Sequence, residues 1–407
     1  MHPPRVVAPG CRVIALVMSA TALAATSSLG GAVDPAAAAT PPAAGSVLPD
    51  QDPFYQAPAN IGSYRAGQIV ATRPVAAATS GSTHTWQIAY RSNDSHNHAE
   101  LAVTTVLVPT AAWTGPGARP VVSEQYPEDA TGTQCAPSYA LATGAGATPS
   151  SMLAKGWAVA IPDYEGPTSV WMAGPQAGHA TLDGVRAVKS FHTDGIGALN
   201  PWALDGYSGG GEATGWAAQL QPSYAPEVRL VGVAMGGTPA DPEAVAKSLD
   251  GGFFSGFEFA ATESLAREFP ESGIAGILNA RGRTDLQNAA GKCLAQILTQ
   301  FPFRKLTADT TVADPFAVPS IAGVMKENTL GAAPPAAPIY DYHADTDEIV
   351  PVAQDNALTK AWCGRGATVQ TVRDLVGEHG LEALVQSSAV LTFLTNRFAD
   401  AKATNTC

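Results

Sequence analysis

The sequence predicts an α/β protein in which a mostly parallel central sheet carries an inserted helical segment. Three observations predict it. Short β-rich runs recur along the chain, several of them near-continuously apolar, as strands buried on both faces must be. Helical patterns separate the later runs. Between about residues 240 and 330 the alternation breaks, and helical pattern dominates around the aromatic stretch Gly251-Gly252-Phe253-Phe254-Ser255-Gly256-Phe257-Glu258-Phe259.

Arg5 and Arg12 precede the apolar run Val13 to Met18 and a long stretch of small residues, the pattern of a secretory signal peptide over residues 1–39. Cleavage is expected near Ala37-Ala38-Ala39, and Cys11, which precedes the apolar run, leaves with the signal. Residues 40–58 are rich in Pro and Ala and read as a flexible lead-in. The strand runs follow: His84 to Tyr90, Leu101 to Val108, Pro120 to Tyr126, Trp157 to Asp163, Trp202 to Tyr207, Leu230 to Met235, Ile339 to Tyr342 and Val369 to Leu375. In Ala180 to Phe191, Leu182, Val185, Ala187 and Val188 mark one helical face opposite Arg186 and Lys189. The organisation expected is a core over 59–239, a helical cap over 240–330, and the rest of the core over 331–407.

Apolar residues make up 45% of the 407 and charged residues 14%, enough for a thick core. A net charge of -12 repels phosphate backbones, so nucleic acid is not an expected partner, and nothing marks an obligate protein partner. Cys135, Cys293, Cys363 and Cys407 remain after the signal, an even number in a chain bound for an oxidising space. Two disulfides are expected, and spacing does not choose among the three pairings. His96 and His98 form an H-x-H in a hairpin turn with no third ligand evident, and no Cys/His cluster occurs, so neither metal nor organic cofactor is expected.

The run Trp202 to Tyr207 leads into Gly206-Tyr207-Ser208-Gly209-Gly210, and Ala213, Trp216, Ala217 and Leu220 then mark a helix. Strand, tight turn and helix are the context in which G-x-S-x-G forms the nucleophile elbow of an α/β-hydrolase. Glycines are needed there because the turn is strained and the chain passes close to its neighbours. A serine hydroxyl attacks only when a base takes its proton, and that base must be oriented by a third group. In this fold the order is serine, acid, histidine. Of the two histidines after Ser208, His343 comes too early to have the acid before it, which leaves His379 as the base. Asp345 and Asp347 both follow the strand ending at Tyr342, and spacing divides the acid role evenly between them. The residue after the nucleophile, Gly209, is expected to give one oxyanion N–H, and a loop after an early strand the other. His84, His179 and His192 read as surface or satisfied structural residues.

From about Pro53 to its end the chain resembles the secretory lipases, an α/β-hydrolase family. The resemblance rests on Tyr126-Pro127-Glu128-Asp129-Ala130-Thr131 with Cys135-Ala136-Pro137-Ser138-Tyr139, Leu182-Asp183-Gly184-Val185-Arg186-Ala187, and the serine motif. It extends through Ser223-Tyr224-Ala225-Pro226-Glu227, Gly236-Gly237-Thr238-Pro239, His343-Ala344 with Asp347-Glu348-Ile349-Val350-Pro351, and Glu378-His379. It implies Asp347 as the acid, Asp129 as the second oxyanion donor, and disulfides pairing Cys135 with Cys293 and Cys363 with Cys407. Met235 before Gly236 and Pro127 before Glu128 depart from some relatives and bear on the pocket wall.

The function expected is that of a secreted triacylglycerol lipase acting through an acyl-enzyme on Ser208, with acyl ester or lipid as partner and transient contact with a lipid interface. A carboxylesterase for short or aromatic esters and an acyltransferase would use the same residues. A non-catalytic secreted binding protein is the alternative of a different class, and it has no need of Ser208, Asp347 and His379.

Overall fold

The computed structural model describes residues 42–76, 82–375 and 377–407; the segment read as a signal peptide, with Cys11, lies outside them. Nine strands form one sheet: β1 (Ile69–Pro74), β2 (Thr83–Asn93), β3 (Ala99–Pro109), β4 (Val121–Gln125), β5 (Ala158–Pro162), β6 (Trp202–Tyr207), β7 (Leu230–Gly236), β8 (Ile339–Ala344) and β9 (Val369–Asp374). Their order is β1-β2-β3-β5-β4-β6-β7-β8-β9. β1 to β3 form an antiparallel meander, and β3 is antiparallel to β5. From β5 across to β9 every pairing is parallel. The mostly parallel sheet is as expected from the sequence.

β1 is the strand the sequence did not announce. It lies at the edge, where Pro74 leaves no ladder hydrogen bond unmade on a neighbour. Its Arg73 is buried and reaches the fully buried carboxylate of Asp52 at 2.6 Å. Asp52 sits between two short 3-10 turns, Pro49–Gln51 and Pro53–Tyr55, and Phe54 packs with Ala89, Leu101 and Val103 of β2 and β3. The stretch read as a flexible lead-in is therefore packed against the sheet from Pro49 onward. Its Pro and Ala content hid one long-range ion pair and one buried ring.

Strand alternation sends neighbouring residues to opposite faces. Val121, Ala158, Ala160, Trp202 and Leu204 join a core beneath the helices Gly174–Phe191 and Gly209–Tyr224. Val122, Val159, Ile161 and Ala203 join a second core on the other face, closed by Val390, Phe393 and Leu394 of the helix His379–Phe398. Covering both faces explains why these strands read as continuous apolar runs.

Between β7 and β8 the chain leaves the sheet for the helices Pro242–Leu249, Gly256–Glu268, Ala280–Ala289, Leu294–Gln300 and Pro319–Glu327, with shorter turns among them. Their apolar faces form a third core, in which Phe259 and Phe301 stack with ring centres 4.5 Å apart. The pairs Cys135–Cys293 and Cys363–Cys407 are both made, as the resemblance implied. The first joins the loop after β4 to this helical segment. The second holds the last residue of the chain to the helix Val352–Cys363.

Candidate active site

Ser208 stands between the end of β6 and the first turn of the helix Gly209–Tyr224, at φ 57° and ψ -126°. A side chain in the left-handed region costs about 1–3 kcal/mol, and such strain persists only where surroundings enforce it. Here Gly210 does the enforcing. A Cβ on it would lie 1.9 Å from the backbone oxygen of Gln125 at the end of β4. With glycine there, the helix start presses against β4 and lifts the Ser208 hydroxyl above the strand ends. The N–H groups of the helix's first turn have no intrahelical acceptor and face the same side.

The structure brings together side chains from three distant stretches of chain. His379 Nε2 lies 2.8 Å from Ser208 Oγ, and His379 Nδ1 lies 2.7 Å from Asp347 Oδ2. His379 opens the helix His379–Phe398. The N-cap Glu378 accepts from the N–H groups of Gly380 and Leu381, and Glu348 accepts from the N–H of His379. Asp347, not Asp345, meets the imidazole: Asp345 is exposed, whereas the side chain of Asp347 is fully buried. The Asp347 carboxylate also accepts from the N–H groups of Ile349 and Val350 at 2.9 and 2.7 Å. Burial pushes its pKa up, but hydrogen bonds from His343 and His379 outweigh it and hold the carboxyl well below the usual carboxylate range.

Asp129, at φ 48°, sits over the helix start, with its Oδ1 1.8 Å from where a Cβ of Gly209 would be. Any side chain at 209 would displace that carboxyl from beside Ser208. Burial pushes the Asp129 carboxyl up to about 7, with the His379 charge opposing. Burial likewise pushes Glu212, in the first helical turn, up to about 8, and raises Glu128 and Glu165 well above their ordinary range. Burial thus disfavours the charged form of all four acidic side chains.

Ser208 opens into a cavity of about 850 Å³ of empty space, its mouth included. Trp171 and Met172 wall it from the core side, and Val245, Leu249, Phe257 and Ala261 from the helical segment. Glu258 also reaches this wall, buried and pushed up to about 9 by burial and by Asp250 and Asp309, so it is neutral there.

Sequence reasoning missed two groups. His343, set aside because of its place in the chain order, is fully buried beside Asp347, and its only sequence signal is a histidine at a strand end four residues ahead of that aspartate. The indole of Trp171 closes over Gly209, and no pattern in the sequence distinguishes it from an ordinary core tryptophan. The expectation that His96 and His98 lack a third ligand is corrected by Asp94. One ligand atom from each of the three lies within 4.8 Å of the others, on the exposed β2–β3 turn. Nothing in the spacing Asp94-Ser95-His96-Asn97-His98 was long-range; the hairpin turn simply folds the aspartate back, where its carboxylate accepts from the N–H groups of His96 and His98.

A mostly parallel sheet covered on both faces, with a strained serine between strand and helix at its carboxyl edge, defines an α/β-hydrolase. A model of the family "Secretory lipase" matches residues 140–406. Lipase 6 of Candida albicans is 35% identical over 88% of this chain and 83% of its own. A secreted triacylglycerol lipase of Malassezia furfur is 33% identical, over 79% and 70% respectively. The X-ray structure of Candida antarctica lipase A in its closed state superposes with a TM-score of 0.83 at 32% identity, covering 89% of each chain. This chain belongs to the secretory lipase family and is an ester hydrolase.

Proposed function

We propose that this protein is a secreted triacylglycerol lipase in which Ser208 is the nucleophile, His379 the general base and acid, and Asp347 the group that orients and stabilises the imidazolium. The observation that carries the reading is the unbroken hydrogen-bonded line Asp347–His379–Ser208 at the mouth of an apolar cavity. Ser208 Oγ attacks the ester carbonyl as His379 Nε2 takes its proton. The oxyanion is held by the N–H of Gly209, in the first helical turn, and by a donor from Asp129. Collapse of the adduct expels the alcohol, which leaves with the proton from His379, and the acyl group stays on Ser208. Water repeats the sequence and frees the carboxylic acid.

The cavity wall supports a long acyl chain, since burying each methylene contributes about 0.8 kcal/mol and the one acid at the wall carries no charge. Two disulfides support an oxidising destination outside the cell. Phe253 and Phe303, 59% and 67% exposed on the helical segment, support transient contact with a lipid surface. The test is labelling with a fluorophosphonate together with hydrolysis of a triacylglycerol emulsion. Both are expected in the parent and absent in Ser208→Ala, whose kcat should drop about 10⁶-fold. Labelling or hydrolysis undiminished in that variant ends the proposal.

A further inference from the structure

The imidazole of His343 is enclosed at the end of β8 with its side chain fully buried, and both ring nitrogens face acceptors. Nδ1 lies 3.2 Å from Asp355 Oδ2, on the helix Val352–Cys363. Nε2 lies 2.9 Å from the carbonyl oxygen of Val350 and 3.1 Å from Asp347 Oδ2. A carbonyl oxygen has no proton to give, so Nε2 must be the donor there; Nδ1 beside a carboxylate must donate as well. A neutral ring carries one N–H and would leave one of these buried contacts as two lone pairs in opposition. Asp347 Oδ2 meanwhile accepts from His379 Nδ1 at 2.7 Å. Two imidazoles therefore share one carboxylate oxygen, and only one of them touches the serine.

We infer that His343 is a positioning residue for the proposed Ser208–His379–Asp347 assembly: a permanently doubly protonated imidazolium that fixes the Asp347 carboxylate and offsets part of that carboxylate's pull on His379. The inference rests on the functional reading given above. The surrounding charges balance such a cation. Asp355 also receives Arg373 at 2.9 Å, and Arg373 in turn holds Asp341 of β8 at 2.8 Å. Glu382, on the helix that His379 opens, feels the His343 charge, but burial pushes its carboxyl up to about 7. Asp341 is pushed up to about 8 by burial and by Asp355, with Arg373 opposing. Two carboxylates, Asp347 and Asp355, thus stand against two cations, His343 and Arg373. Burial lowers the His343 pKa, yet the hydrogen bonds to Asp347 and Asp355 prevail and lift it to about 10.

The consequence is electrostatic. A fixed positive charge on the oxygen that accepts from His379 Nδ1 offsets part of the pull of Asp347 on the charged ring that forms when, in the proposed reaction, His379 takes the Ser208 proton.

Two measurements test this. In histidine ¹⁵N-labelled protein, with the His343 signals assigned from their loss in His343→Gln, both His343 nitrogens are expected to remain protonated from pH 5 to pH 8; a ring that is neutral at pH 7 overturns the inference. In His343→Gln, the acid limb of kcat/KM for a soluble ester is expected to move up by about one pH unit, a roughly tenfold loss at fixed pH on that limb. A purely structural role would lower kcat at every pH and leave the limb in place, which also overturns it. If the variant does not fold, His343 assigned by elimination in the unaltered protein still decides. Persistence of activity in Ser208→Ala would instead bring down the functional reading, which the charge state of His343 does not touch.

Discussion

The strand ends that carry Ser208, His379 and Asp347 and the helical segment that walls the cavity meet at the same serine, yet different physics specifies them. At the strand ends the Asp347–His379–Ser208 line and the His343–Asp347 contact run at 2.7 to 3.1 Å, and one extra carbon at Gly210 would meet backbone 1.9 Å away. In the helical segment contacts are apolar and rings pack at 4.5 to 6.5 Å. Hydrogen bonds are directional and break over fractions of an ångström, whereas apolar packing tolerates exchange of shape at similar volume. The first region should therefore fail for every substrate when disturbed, and the second should change which substrate is preferred.

Severing what joins the two regions has the largest expected effect. Cys135→Ser with Cys293→Ser opens a link spanning 158 residues, and removing such a native disulfide costs about 2–5 kcal/mol. The denaturant midpoint should fall accordingly, and long-chain hydrolysis should be lost at a lower temperature than short-chain hydrolysis. An unchanged midpoint would mean that packing alone seats the helical segment.

Next comes a pair of substitutions, one in each region. Gly210→Ala must push the helix start off β4 and carry Ser208 with it, so kcat/KM should drop about 10²-fold for short and long esters alike. Ala261→Phe fills the cavity from the helix Gly256–Glu268. It should lower kcat/KM about tenfold for long acyl chains, and acetate esters should be turned over as before. Equal losses across chain lengths in Ala261→Phe, or a chain-length-dependent loss in Gly210→Ala, would erase the distinction.

The same contrast governs what could be read in the sequence. Ser208 was legible because strand, turn, glycines and helix lie within a few residues of one another, and His379 because chain order left one candidate. Asp345 and Asp347 were not separable by spacing, since which of two residues on one loop turns inward depends on the N–H groups of Ile349 and Val350, which the sequence does not orient. Asp129 and the two cysteine pairings came from family resemblance alone. His343 was invisible because its protonation follows from an enclosure built by β8, a loop and the helix Val352–Cys363 together. In the helical segment the existence of helices was legible and the cavity was not, for Phe257 on a cavity wall and Phe259 in a solid core have the same side chain. The packed Asp52–Arg73 pair escaped for the same reason: each residue looks solvated until the other is beside it.

The smallest expected effect lies where the regions touch, at Asp129. Its carboxyl, pushed up to about 7 by burial, is neutral at pH 6 and ionised at pH 8. Because its Oδ1 lies against Gly209, the ionised form sets a negative charge beside the proposed oxyanion site, and it should slow the parent enzyme on the alkaline side. Asp129→Asn keeps the backbone and the size but has no proton to lose. The ratio of variant to parent kcat/KM should rise a few-fold between pH 6 and pH 8, in the same proportion for short and long esters, because the charge acts on the oxyanion and not on the chain. A ratio that stays flat would mean that Asp129 is already ionised, or already neutral, throughout that range. A ratio that changes with acyl length would mean that this carboxyl belongs to the cavity rather than to the strand ends.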